Sequence, residues 1–462
     1  MCCIVVAHSL HDCYSYMDSL QGRGREAAGI AAIGDGRIDV IKWKGLVKDF
    51  GLTDLHKIFP GHRYHTFIGH IRYATRGRKD KILQDAHPHV IGGTICDRGS
   101  HILILDCDMA IVHNGQVQDD YFVSLDQDKL QTDCDSEKLL HLYKQTNEVH
   151  IMQQVHGAYT MAIADKKRSE IIILRDRTGI KPGFLGLKDG KHNIVSEDIA
   201  LRKNGAKLIK NLDPGTIYYL LSSGDYRKIH ILEPQPAYCF FEWNYVAHVD
   251  SILNGLSVFA LRHVLGEMVA QEHPLPYIDW MTFVPRCPEV AGRSYADYLN
   301  LEFLYMLYKM RRERAFLGST AKDRAQSIIS NLHLLLHKMG CINNPTGAGM
   351  EDSTIRGNNA KHVRHLLYNE AGIKNFTLLN YTPPVGIIGK DGVPRGCMFG
   401  VDMPPDDNFI ARRRTVEDIS DEIGMPVRYL SVEGMLQGFE SLGMLRENLC
   451  TYCIGGCHPF KR

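Results

Sequence analysis

The chain changes character about half-way along, and that change constrains its fold more than any other feature. Over about the first 220 of its 462 residues, short β-rich runs alternate with turn signals. Examples are Cys3–Ala7, Thr66–His70, His101–Leu105, Ala110–His113, Tyr159–Ala164, Ile171–Arg175 and Thr216–Leu221. The pattern predicts only two helices among them, Asp12–Gln21 and Cys134–Gln145. From Ser257 the apolar spacing becomes helical, and helices at Val416–Ile423 and Val432–Phe439 alternate with short strands such as Phe376–Leu379. Short β-rich runs between turn signals predict a sheet-dominated unit with a few covering helices, and the helix–strand alternation predicts an α/β unit. The expected division is residues 2–232, a connecting segment 233–257 around Pro234-Gln235-Pro236, and residues 258–462.

A net charge of +1 gives no electrostatic footprint for nucleic acid or an anionic membrane. No run approaches the roughly 18 apolar residues of a membrane span. The start lacks a basic region and a long apolar core, so it does not read as a signal peptide. The expected location is cytoplasmic. There, thirteen cysteines argue for catalytic or metal-binding thiols rather than disulfides. The twenty-three histidines are scattered and show no zinc spacing.

Cys2 follows the initiator methionine. Trimming of Met1 would leave its thiol and the chain's α-amine on one residue. Those groups titrate near ~8.5 and ~8, so the amine can serve as base for the thiol, directly or through one water. The plain alternative is an apolar first strand. Downstream stand Leu20-Gln21-Gly22-Arg23-Gly24, Gly69-His70-Ile71-Arg72-Tyr73, His113-Asn114-Gly115 and Asp133-Cys134-Asp135-Ser136-Glu137. Thiol attack on a carboxamide creates an oxyanion. The Asn114 amide and the Gly115 backbone N–H are suitable donors to it. Arg72 can grip a carboxylate bidentately, and Asp135 can hold an ammonium. Each has an ordinary reading too: a hairpin turn, a solvated arginine, a helix N-cap.

In order and spacing, these segments resemble the glutaminase domain of class II glutamine amidotransferases, and most of all the amidophosphoribosyltransferase branch. Gly157-Ala158-Tyr159, Arg175-Asp176-Arg177-Thr178-Gly179-Ile180-Lys181-Pro182, Ser196-Glu197 and Asp213-Pro214-Gly215 extend the resemblance. It implies an N-terminal nucleophile hydrolase α-β-β-α sandwich, with Cys2 as nucleophile and Asn114 and Gly115 as oxyanion hole. Arg72 and Asp135 would bind glutamine. The chain departs from the pattern at Cys3, where the family has glycine, and at Gly22 and Arg25. Cys3 needs extra room and offers a second thiol beside the first.

Cys239, Cys397, Cys450 and Cys453 fill the places where one branch of the family holds a [4Fe–4S] cluster. The resemblance implies such a cluster, with a structural role, pinning the C-terminal tail to the domain junction. Scattered buried cysteines or a zinc site are the plain readings of the same residues.

The second half resembles a type I phosphoribosyltransferase domain. Met350-Glu351-Asp352-Ser353-Thr354-Ile355-Arg356-Gly357 matches the family's phosphoribosylpyrophosphate loop. Glu351 and Asp352 would hold ribose hydroxyls, with or without Mg2+ at Asp352. Ser353, Arg356 and Gly357 would cradle the 5′-phosphate at a helix start. Several departures weaken the match: Arg286-Cys287 in a turn that normally faces pyrophosphate, Ile329 and Asn331 in place of two cations, and Asn358-Asn359 in place of two threonines. Lost cations cost about 1–3 kcal/mol per charge-assisted bond, and Arg286, Lys309, Arg311, Arg312 or Lys322 could compensate. The segment 343–349 before Glu351 is a poor strand.

Three functions follow. The first is a full amidotransferase acting on glutamine and phosphoribosylpyrophosphate, as a homo-oligomer (a tetramer in the family). The second is a glutaminase with another ammonia acceptor. The third is a regulatory or binding protein with a degenerate phosphoribosyl site.

Overall fold

The computed structural model describes residues 2–73, 81–309, 332–335, 346–397, 399, 401, 403–406 and 408–461. Thirteen strands between Cys3 and His230 join in one continuous sheet. Cys3–Ala7 lies between Thr66–Arg72 and Lys191–Val195, antiparallel to both. Pairing runs on from Thr66–Arg72 through Ala27–Gly34, Arg37–Lys44, His101–Gln116, Ala158–Asp165 and Glu170–Arg175.

Alternation along the strands folds this sheet into layers. Ile4 and Val6 pack in one core with Val112, Ala162 and Ile173, so the two halves of the sheet face each other. Cys3 and Val5 point the other way, onto Cys13 and Met17 of the helix Leu10–Ser19. Met161 and Ile163 face outward from the second half, onto Leu139 and Leu142 of the helix Asp135–Gln145. The order is helix, sheet, sheet, helix, as the resemblance implied.

Two runs expected as separate strands, His101–Leu105 and Ala110–His113, are one strand, His101–Gln116. Asp106 bends it with φ +58°, and the register against the strand His89–Asp97 shifts at Ile91/Gly92. A local bulge thus interrupts the alternation without ending the strand.

The second unit is a parallel sheet. Its order is Glu302–Phe303, Trp280–Phe283, Thr346–Glu351, Asn375–Asn380 and Val427–Tyr429. Helices Val258–Glu272 and Glu289–Leu299 connect and cover it, along with Val416–Ile423 and Val432–Ser441. The segment before Glu351, weak by composition, forms the central strand over Thr346–Glu351. Its glycines are the reason. A Cβ on Gly347 would lie 2.4 Å from the Trp280 ring, and one on Gly349 2.6 Å from Phe376. Missing side chains make room for aromatic packing from the neighbouring strands. No helix among the described residues is long and apolar enough to cross a membrane.

Candidate active site

The first strand delivers Cys2 to one end of the sandwich. Ile4 and Val6 face the central core, and alternation puts Cys2 on that same side. Its sulfur accepts the Tyr73 N–H at 3.4 Å and lies 3.5 Å from the Tyr73 carbonyl. Cys3 turns to the opposite face. It is fully buried against the first helix, and burial pushes its thiol up to about 12, against the pull of Arg23. It is therefore a core side chain and not a second thiol beside the first.

Asn114 and Gly115 lie inside the strand His101–Gln116, not in a hairpin turn. Asn114 is 1% exposed, and both its amide atoms lack a hydrogen-bond partner. A buried amide of that kind costs stability unless something fills it. A Cβ on Gly115 would sit 1.9 Å from the Ala158 carbonyl, so only glycine lets the strand run that close.

Arg72 is not solvated. It pairs with Glu26 at 3.1 Å and Asp85 at 3.4 Å. Asp135 opens its helix, but the N-cap Cys134 makes no side-chain cap bond. The Asp135 carboxylate instead accepts the Val117 N–H at 2.8 Å, just beyond Asn114 and Gly115. Beneath these residues, four histidines cluster out of water. His70 stacks on His87 at 4.0 Å, His87 meets His89 edge-on at 4.6 Å, and the His113 carbonyl lies 3.0 Å from His70 Nε2.

A buried charge network that the sequence motifs did not reveal reaches the Cys2 carbonyl. Arg23 is 1% exposed, and its Nε donates to the Cys2 carbonyl at 3.0 Å. Its Nη1 pairs with Glu197, and its Nη2 reaches both Glu242 oxygens at 3.1 Å. Glu197 also accepts from the His248 N–H and the Ser251 hydroxyl, tying the connecting segment to the sandwich. Burial alone would push the Glu242 carboxyl up, but Arg23 and Lys181 outweigh it and hold it below the usual range. The Arg175-Asp176 turn aims Lys181 inward. Arg175 Nε donates to the Lys181 carbonyl at 3.1 Å, and Asp176 accepts from the backbone of Tyr159, Thr178 and Gly179.

Cys239, Cys397, Cys450 and Cys453 line one small cavity with Lys181. Cys239 and Cys450 are register partners in a short parallel pair, Tyr238–Cys239 with Leu449–Cys450. Cys397 Sγ accepts the Val401 N–H at 3.4 Å. Burial, and then the charges of the other three cysteines, push the Cys453 thiol up. Four thiolates there require a strongly cationic centre to hold them. Among the described residues no group of three or more such donors is arranged to hold a metal ion. The donor set, four cysteines around one cavity with two of them register partners, is chemically that of a thiolate-ligated cluster.

At the carboxyl end of the central parallel strand, Glu351 accepts from Asn359 Nδ2 at 2.7 Å and Asp352 from the Ser353 hydroxyl at 2.7 Å. Burial, and then the neighbouring Asp352, push the Glu351 carboxyl well up; burial also raises Asp352. This pair is set to meet a cation or hydroxyl donors. Gly357 has φ +80° and opens the helix Asn358–Arg364; a Cβ there would lie 2.5 Å from Ile410. Cys287 turns its thiol to the Tyr245 carbonyl at 3.4 Å. Arg311, Arg312, Lys322, Ile329 and Asn331 lie outside the described residues.

The fold defines a class, an α-β-β-α sandwich joined to a parallel-sheet α/β domain. The glutamine amidotransferase domain family matches residues 102–235. An amidophosphoribosyltransferase of Archaeoglobus fulgidus is 28% identical over 96% of this chain and 94% of its own. That of Bacillus subtilis is 27% identical over 96% and 90%. A solved Bacillus subtilis glutamine phosphoribosylpyrophosphate amidotransferase, complexed with ADP and GMP, shares the fold with a TM-score of 0.79. It is 24% identical and covers 99% of this chain and 97% of its own. The resemblance to amidophosphoribosyltransferases therefore runs through both halves of the molecule.

Proposed function

We propose that this chain is an amidophosphoribosyltransferase, moving the amide nitrogen of glutamine onto phosphoribosylpyrophosphate in the first step of purine synthesis. The observation that carries the reading is that strand alternation turns both Cys2, next to Ile4 and Val6, and the buried, unpartnered Asn114 amide, next to Val112, towards the core between the two half-sheets. The α-amine of mature Cys2, or a water it holds, takes the thiol proton. The sulfur then attacks the glutamine amide carbon, and Asn114 Nδ2 and the Gly115 N–H receive the oxyanion. Ammonia leaves, and water cleaves the thioester to give glutamate. Arg72 and Asp135 hold the amino-acid end of glutamine. In the second half, ammonia adds at the anomeric carbon of phosphoribosylpyrophosphate as pyrophosphate departs, giving phosphoribosylamine. Glu351 and Asp352 face the ribose hydroxyls, where Asp352 would hold Mg2+. Ser353, Arg356 and Gly357 take the 5′-phosphate. Coupled assays of glutamate and pyrophosphate release test the whole reading.

Asn114→Ala should lower kcat for glutamate release about 10²–10³-fold, the usual loss for one oxyanion donor. Stability should hold or rise, because the amide has no partner to lose. An unchanged kcat would remove Asn114 from the oxyanion hole.

Cys239, Cys397, Cys450 and Cys453 would hold a [4Fe–4S] cluster, which supplies a covalent pin between the connecting segment and the C-terminal tail. Cys450→Ser is expected to cut iron and acid-labile sulfide several-fold in anaerobically purified protein. It should also loosen the tail, read by proteolysis. Iron at the wild-type level would argue against this ligand set. A cytoplasmic homo-oligomer, tetrameric as in the family, completes the reading.

One observation favours the second reading, a glutaminase with another acceptor. Cys287 spends its thiol on the Tyr245 carbonyl, in the turn expected to face pyrophosphate. Glutamate release without pyrophosphate release would select it.

A further inference from the structure

A line of buried charges runs from the cysteine cavity to the nucleophile. Lys181 lines the cavity with the four cysteines and is 0% exposed. Its Nζ lies 3.5 Å from Glu242 Oε1. Glu242 holds Arg23 Nη2 through both oxygens at 3.1 Å, and Arg23 Nε holds the Cys2 carbonyl at 3.0 Å. Glu197 pairs with the remaining arm of Arg23. Two acids and two bases, all at least nine-tenths buried, thus balance one another in a medium where an unpaired charge is expensive. Of these four residues, Lys181 is the one that lines the cavity, and it also faces Glu242.

We infer that Lys181 is a positioning residue that couples the contents of the cysteine cavity to the seating of Cys2, through Glu242 and Arg23. The inference rests on the proposed thiolate-ligated cluster, whose net negative charge gives Lys181 a second partner. The cluster's charge holds the Lys181 ammonium between the cavity and Glu242, so Glu242 divides its hold between Lys181 and Arg23 and leaves the guanidinium on the Cys2 carbonyl. Without the Lys181 charge, Glu242 is satisfied by Arg23 alone and draws the guanidinium off Cys2. The same charge stabilises the more negative, reduced state of a cluster. Lys181 touches neither glutamine nor the reacting sulfur in this scheme, so its effect falls on kcat and not on KM.

The test uses the full chain, purified anaerobically, as wild type, Lys181→Met, Lys181→Arg and Glu242→Gln. Iron and acid-labile sulfide are counted first. Then the cluster's midpoint potential is measured by spectroelectrochemistry, and Cys2 reactivity by the rate of iodoacetamide labelling of the N-terminal peptide. Lys181→Met should lower the potential and slow labelling and glutaminase kcat about tenfold, the loss of one charge-assisted contact, with KM unchanged. Lys181→Arg should restore both. Glu242→Gln should slow labelling similarly but raise the potential, which separates the relay from general damage and serves if Lys181→Met does not fold. A fully iron-loaded Lys181→Met protein with wild-type potential and wild-type labelling overturns the coupling. Wild-type protein without iron overturns the cluster reading instead, and the coupling falls with it.

Discussion

Replacing Cys2 by alanine is expected to bring glutamate release to background, a loss of at least about 10⁴-fold, while ammonium salts still support pyrophosphate release. The size of the effect follows from the absence of a substitute. Cys3 is the neighbouring thiol, but it faces the helix core and burial pushes it up to about 12. Cys13 lies in that same core, and burial raises its thiol as well. Neither reaches the side of the strand where Asn114 waits. The fold should not suffer. Cys2 sits at the strand's edge with two weak sulfur contacts to Tyr73, and losses at such positions stay within about 0.5 kcal/mol. Ammonia-dependent activity should survive because Glu351, Asp352 and Gly357 belong to the separate parallel sheet. Glutamate release by Cys2→Ala, in protein whose mass confirms that Met1 is gone, would end the nucleophile assignment. Loss of both activities together would show that the two sites do not work independently.

Acid should unfold the sandwich well before it unfolds an ordinary protein. His70, His87 and His89 are buried, and burial pushes His70 down to about 3 and the other two well below their usual value. In the unfolded chain each takes up a proton near pH ~6.5. The folded protein does not, so the unfolded state binds more protons below that pH. Stability is therefore complete above about 6.5 and falls as the pH drops from there toward 3. One unit below, each histidine costs about 1.4 kcal/mol, or roughly 4 kcal/mol for the three. Urea unfolding followed near pH ~7.5 and ~5.5 should show that loss. His87→Gln and His89→Phe, which remove titratable rings, should shrink it. Equal stability at both pH values would mean that the rings accept protons in the folded state.

The fold class was legible because it depends on patterning. Short β-rich runs such as Cys3–Ala7 and Thr216–Leu221 are strands with those bounds. The helix Val416–Ile423 also has the expected bounds. The exceptions share a physical cause. His101–Gln116 looked like two strands because the bulge at Asp106 breaks the alternation that signals one. Thr346–Glu351 looked poor because its glycines serve the neighbours' rings, and a neighbour is invisible in a local window. The same limit governs the site. Cys2, Arg72, Asn114 and Asp135 stand in short motifs that each have an ordinary reading, and only the order of those motifs, through a family resemblance, pointed to a site. Arg23, Lys181 and Glu197 stand in other quoted motifs and Glu242 three residues after Cys239, but what they do depends on residues up to 219 positions apart in sequence. At Arg72 the ordinary alternative, a solvated strand-end arginine, fails because Glu26 and Asp85 close on it. The histidine cluster gave no motif at all, since His70, His87, His89 and His113 meet only when three strands and a loop pack.

The most direct measurement is simultaneous release of glutamate and pyrophosphate by anaerobically purified protein, given glutamine, phosphoribosylpyrophosphate and Mg2+. Glutamate and pyrophosphate should appear in equal amounts. Glutamate formation should fall when phosphoribosylpyrophosphate is withheld, and Cys2→Ala should stop both under these conditions. Glutamate formed without pyrophosphate, at a rate indifferent to phosphoribosylpyrophosphate, would contradict the account. It would leave a glutaminase whose ammonia goes elsewhere.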